Sequence, residues 1–323
     1  MKKTFVMLLA VAVVLSGVIG SISCSNEEDM PVAEQVMPNS EAAALAALQQ
    51  DIMKLNQARA TKMEPQMRAG IFRKFIRYIK RVVFADALGA LFGSTIGSAP
   101  GALIGGVASS AVAAIPSVNR NITITPIGLC SHDTPAPFPG LFNDPEGATG
   151  GLVLGDPSSL TLADSIGYYH NVALLKLNEE HPEWLQFTGQ VLISKLVSQV
   201  EDVAGLNHGR LLSDTLNDNT EFMAFNENVV AYYDATEEYE EYVALFKQNY
   251  PELADEIAVV EEFINGFDNI EVNTEDQVQF ATDVLNLINT SEQLSDETKH
   301  ALRSGVLVGN ASAKLWNPEA FEE

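Results

Sequence analysis

Hydrophobic positions between residues 158 and 316 recur at intervals of three and four, broken by short polar stretches. This pattern predicts helix after helix, over roughly 160–180, 183–204, 220–234, 236–249, 251–267, 274–291 and 295–316. Pro182, Gly205, Pro251 and Asn273 supply the stops, and Thr274-Glu275-Asp276-Gln277 and Ser295-Asp296-Glu297 read as helix starts. Residues 40–62 add a helix whose large apolar side chains Leu45, Leu48, Ile52 and Leu55 form a narrow seam, suited to packing on one neighbour. The seam is too short for a coiled coil, so the helix is expected to lie on its own domain. The fold class that follows is mainly α, a multi-helix bundle.

Residues 71–83 carry a sharper division. Ile71, Phe72, Phe75, Ile76, Ile79, Val82 and Val83 fall on one helical face, and Arg73, Lys74, Arg77, Lys80 and Arg81 on the other. A basic amphipathic helix of this kind suits the surface of an anionic membrane, where these five cations would meet lipid headgroups. The same basic face would also suit an acidic region of the protein itself.

The segment that follows, Ala87 to Asn119, holds no charged residue, and Gly89, Gly93, Gly97, Gly101 and Gly105 recur in it at every fourth position. Glycines in this register put a smooth groove along one helix face and let backbones approach closely, the device by which helices associate in lipid. In a water-exposed helix each would cost about 1 kcal/mol relative to Ala, so close packing must recover the loss. Ser98-Ala99-Pro100-Gly101 interrupts the run, which predicts two apolar helices, about 87–98 and 101–115, joined by a tight turn, with Asp86 capping the first. Each is short for a full span, which takes about 20 residues. The repeat resembles the glycine zippers of membrane-inserting peptides and of some pore-forming bacteriocins. That resemblance implies a hairpin that seats shallowly in a bilayer, with the five glycines at the contact. A hairpin buried in the soluble fold satisfies the same spacing, and both readings stay open.

Residues 120–157 form a Pro/Gly-rich connector, opening on the strand-like alternation Asn121-Ile122-Thr123-Ile124-Thr125.

Charge separates the two halves. Lys54 to Arg81 holds nine Lys/Arg against one acid, whereas Asn121 to Glu323 holds seven Lys/Arg against 35 Asp/Glu, a net of −28. So acidic a C-terminal half repels nucleic acid, which is excluded as a partner, and keeps the domain soluble.

The first residues carry an address. Lys2 and Lys3 precede an apolar run from Phe5 to Ile19, then Ser21-Ile22-Ser23-Cys24, the layout of a secretory signal. The cysteine at the cut resembles a bacterial lipobox, which implies a lipidated Cys24 at the start of the mature chain. Glu27-Glu28-Asp29, just after it, resembles the surface-export signal of Bacteroidota lipoproteins. The expected organisation is a signal peptide over 1–23, an acidic tether over 24–39, an N-terminal helical region over 40–119, the connector over 120–157 and an acidic helical domain over 158–323. The expected location is the bacterial outer membrane, lipid-anchored and facing outward.

Candidate chemistry is sparse. Cys130-Ser131-His132-Asp133 holds a thiol beside a base, but a catalytic cysteine draws its histidine from elsewhere in the chain, and His170 or His208 would have to serve. A Cys130 hydrolase is therefore a minor alternative. The five histidines show no metal-ligand spacing, and Asn217, Asn219 and Glu221 lack the glycine and terminal acid of a calcium loop. No phosphate-binding or dinucleotide motif appears, and no cofactor, metal or catalytic residue is assigned. Gly167, His170 and Asn171 read as a close helix contact and a buried polar link to the last helix. The expected function is a non-enzymatic surface lipoprotein. Membrane lipid meets its zipper segment, and a protein or cell-surface partner of unknown identity meets its acidic domain. The alternative is a membrane-active, bacteriocin-like toxin.

Overall fold

The computed structural model describes residues 40–60, 70–119, 165–204 (apart from 182, 185, 186 and 188), 219–270 and 275–316, with backbone course alone for 40, 70–78, 114–119, 189 and 190. The signal, the tether, Cys24, the 121–125 strand, the rest of the connector and Cys130 lie outside these residues.

The described residues are mainly helical, with no strand among them. Its helices are α1 (Ser40–Ala60), α2 (Gly70–Asn119), α3 (Ile166–Glu180), α4 (Gly189–Ala204), α5 (Thr220–Ala235), α6 (Tyr239–Asn249), α7 (Ala254–Gly266), α8 (Glu275–Thr290) and α9 (Asp296–Leu315). Local signals set the boundaries. The Asn219 side chain accepts from the Phe222 N–H at the start of α5, and the Ser295 hydroxyl accepts from the Thr298 N–H at the start of α9. Pro251 opens a single 3-10 turn between α6 and α7.

α2 is one element by hydrogen bonding but two by geometry. The backbone leaves helical values at Gly97 (φ −142°, ψ 25°) and Ser98 (φ 52°, ψ −140°). The chain reverses there, so that two apolar arms run antiparallel. Asp86 is not the cap that the sequence suggested. The helix passes straight through it from Gly70, and the residue sits mid-arm with none of its surface exposed.

The hairpin is the centre of the bundle. α2 packs most extensively on α9, next on α5 and α3, and also on α4, α6 and α7. Val82, Val83, Phe84, Leu88 and Leu91 of the first arm, and Leu103, Ile104, Val107 and Ala111 of the second, are almost wholly buried in the same hydrophobic core as the C-terminal helices. Phe84 meets Tyr239, Tyr242 and Phe246 edge-on with centroids 5.6–6.0 Å apart, and Phe92 stacks on Phe225 at 4.7 Å. Such pairs each contribute about 0.5–1.5 kcal/mol beyond burial alone. α1 closes the far side against α7 and α8 through Leu45, Leu48 and Ile52.

Candidate functional site

The period-four glycines pair with one another. Gly93 faces Gly101 and Gly89 faces Gly105, each so close that a Cβ on either member would collide with the other's carbonyl oxygen. The two pairs are symmetric about Gly97, because a repeat of fixed period folded at its middle glycine brings the flanking ones into register. Gly97 is therefore not in the groove that the sequence placed it in. It forms the turn and is half-buried, next to the exposed Ser98 and Thr95. Ser109 continues the seam beyond Gly89. The same economy recurs on α9, where Gly305 and Gly309, also four apart, lie against Ala87 of the hairpin. Gly167 of α3 faces the Leu307 carbonyl of α9.

The basic residues divide by position. Arg73, Lys74 and Arg77 lie on the opening turns of α2, and their side chains are outside the described residues. Lys80 and Arg81 turn inward. Lys80 Nζ donates to Asn265 Oδ1 and pairs with Asp268 Oδ2, both at 2.9 Å, above the Tyr239 ring. The Arg81 guanidinium lies 3.7 Å from the centroid of the Tyr233 ring and donates to the Tyr233 carbonyl and to Thr236 Oγ1. At this end of the amphipathic helix the basic face meets the protein's own C-terminal half.

One polar cluster lies inside the apolar centre. Trp316 Nε1 donates to Ser110 Oγ (3.3 Å), and Ser110 Oγ donates to Asp86 Oδ2 (2.8 Å). Ser312 Oγ donates to the same oxygen. From α3, Asn171 Nδ2 donates to the Ala311 carbonyl at 2.9 Å. That leaves Asn171 Oδ1 to accept from His170 Nδ1 at 2.9 Å. The tautomer follows: the His170 proton is on Nδ1, and bare Nε2 faces Asp86 Oδ2 at 3.7 Å. The link from His170 and Asn171 to the last helix is the one the sequence predicted; its extension to Asp86 is not.

Burial governs the charge of this cluster. Desolvation pushes the Asp86 carboxyl up to about 8, against the opposing pull of hydrogen bonds from Ser312, Ser110 and Trp316. Desolvation also pushes His170 down to about 4, opposed by Asn171 and the Gly106 backbone. At neutral pH the pair holds one proton, on the carboxyl, and neither group is charged. Asp86 Oδ1 and His170 Nε2 have no hydrogen-bond partner.

Asp86, His170, Ser110 and Ser312 are all fully buried, so the cluster presents no group to solvent in the folded bundle. Among the described residues, no group of three or more His, Cys, Asp or Glu is placed to hold a metal ion. His170, a possible base for Cys130, is turned toward Asp86. No expectation from the sequence fell on Ser110, Gly305 or Gly309. For the two glycines the available signal was their spacing of four within the last helical pattern. The chain matches no family model, no curated protein and no solved structure.

Proposed function

We propose that this protein is a lipid-anchored, non-enzymatic protein of the bacterial outer surface that keeps a membrane-seeking hairpin folded within an acidic helical sheath. The observation that carries this reading is the self-pairing of the hairpin. Gly89 with Gly105 and Gly93 with Gly101 make the closest backbone contact of the two arms within the hairpin itself. Ile79–Ala113 is also the one stretch among the described residues long and apolar enough to cross a membrane by length and composition, although most of it is buried in the fold. From Val82 to the turn the first arm has 15 residues, about 22 Å of helix against roughly 30 Å of hydrocarbon, which favours a shallow seat with the turn leading. The turn is the part of the hairpin that reaches the surface, with Thr95 and Ser98 exposed. Lipidation at Cys24 would hold the protein at the bilayer, and Glu27-Glu28-Asp29 would direct it outward.

A second reading is favoured by the completeness of the sheath. Helices on several sides cover the hairpin, an arrangement that suits a membrane-active toxin kept soluble before it meets a target cell. Vesicle flotation combined with dye leakage, on the full mature chain and vesicles of phosphatidylcholine with phosphatidylglycerol, separates the two. Flotation without leakage supports the surface lipoprotein, and leakage supports the toxin. Neither flotation nor leakage would show that the hairpin serves only as a core, and would overturn both.

A further inference from the structure

The hairpin needs a reason to stay inside the bundle and a means of leaving it. Most of its contacts with neighbouring helices are apolar and alike. Among the exceptions, the cluster at Asp86 is where side chains from three helices converge on one carboxyl group: Ser110 from the second arm, Ser312 from α9 and His170 from α3. The other polar contacts are of another kind: buried Ser109 meets the uncharged Asn226 of α5, buried Arg81 donates to the Tyr233 carbonyl and Thr236 at the end of α5, and Lys80 meets Asp268 near the surface.

We propose that Asp86, His170 and Ser312 form a proton-dependent latch by which α3 and α9 hold the apolar hairpin inside the bundle. The proposal rests on the reading of the hairpin as membrane-seeking, to which it adds the control of release. With its proton, Asp86 carries no charge and accepts from two hydroxyls on Oδ2. Without it, a carboxylate remains in an apolar centre with Oδ1 unpartnered and no cation in direct contact. Burying an uncompensated charge is strongly unfavourable, so the packing that buries it is the packing that yields. The proton released passes to water.

The other groups facing the latch do not supply a rescue. His170 is held neutral by its surroundings. Tyr242 of α6 is near enough to feel Asp86, and burial holds its phenol well above the ordinary value, so it stays neutral too. Arg81 lies toward the same tyrosine but is engaged by Tyr233 and Thr236. α9 presents Ser312 and Trp316, and α5 presents Asn226. The buried face of α7 is Ile257, Val259, Val260, Phe263 and Ile264, and among the described side chains that of α4 is apolar apart from Gln199.

The sign follows from linkage. Asp86 binds its proton more tightly in the closed bundle than in the open one, so its contribution is present at low pH and is lost as pH rises toward about 8. His170 binds its proton less tightly when closed, so its contribution is present above 6.5 and is lost as pH falls toward about 4. Between about 4 and 6.5 the two trends cancel, because the closed and open states each hold one proton. Above that window only the closed state holds one, and the latch weakens as pH rises.

The test is hydrogen exchange of the amides of residues 82–113 in the full chain, corrected for intrinsic rates, from pH 5 to 9. For the wild type the opening constant should rise on the order of tenfold between pH 6 and pH 9. In Asp86→Asn that rise should vanish, and opening should instead increase below pH 6.5, where His170 alone titrates. Ser312→Ala removes a donor to the carboxylate and should move the alkaline midpoint upward, which keeps the idea testable if Asp86→Asn folds poorly. An unaltered alkaline rise in Asp86→Asn, or an unmoved midpoint in Ser312→Ala, would overturn the latch. Flotation on phosphatidylglycerol-containing vesicles at pH 6 and pH 9 separates this failure from that of the membrane reading. Alkaline opening without flotation leaves the latch standing and removes its membrane role. Flotation that ignores both pH and Asp86→Asn removes the latch and leaves the membrane role standing.

Discussion

Gly93 and Gly101 face each other backbone to backbone, four residues either side of Gly97, with no room between them for a methyl group. This contact decides what the glycine repeat does in the folded protein. It joins the two arms of one hairpin, and Gly97 serves as the fold point and not as a rung.

The arms should therefore tolerate substitution very unevenly. Gly101→Leu overpacks the crossing and should destabilise the protein by about 1–3 kcal/mol or more, since the obstacle is backbone that cannot rotate away. Gly97→Ala, at a half-buried turn with negative φ, should cost less than about 1 kcal/mol. Circular-dichroism melting of both variants checks the contrast, and equal losses would remove the pairing as the explanation of the repeat.

Ser98 is the one non-glycine residue among those described with positive φ, at 52°. An L side chain is disfavoured there, at a cost of about 1–3 kcal/mol. Ser98→Gly should raise stability by roughly 1 kcal/mol, and Ser98→Val should lower it by at least as much. Urea unfolding provides the measurement. If the hairpin opens at this turn, Ser98→Gly should also slow the opening seen by hydrogen exchange.

Arg81 is almost fully buried between Tyr233 and Tyr242, and donates to groups at the end of α5. Arg81→Ala should destabilise by more than about 2 kcal/mol, because it opens a void and removes the donors to the Tyr233 carbonyl and Thr236. Arg81→Lys should recover little of the loss, since an ammonium cannot lie flat on Tyr233 and donate to two acceptors at once. Stabilities of the two variants within about 0.5 kcal/mol of wild type would show that the cation is incidental.

The anchor is testable in cells. Cys24→Ala should abolish acyl-chain labelling and release the protein from the membrane fraction or arrest its maturation. Replacing Glu27, Glu28 and Asp29 with Ala should leave the protein lipidated yet protected from protease added to intact cells. Unchanged labelling in the first variant, or unchanged cleavage in the second, would contradict the respective assignment.

Much of the fold was legible in the chain. The three-and-four spacing in 158–316, the Ser295 cap, the Pro251 stop and the Leu45–Leu48–Ile52 seam are local properties, and each became the helix, boundary or buried face that it implied. The turn between the apolar arms and the link of Asn171 to the last helix were also visible, because a break before Pro100 and a polar pair beside Gly167 have few other uses. Tertiary structure alone decided three further points. It paired the glycines about Gly97, since a repeat of period four has the same face whether it folds on itself or meets another helix. It turned Lys80 and Arg81 inward, since the polar side of an amphipathic helix carries no mark of whether water, lipid or an acidic neighbour will meet it. And it made Asp86 a fully buried group held by hydroxyls and not a helix cap, since a carboxyl before an apolar run looks the same in either role until distant Ser312 and His170 are brought to its side.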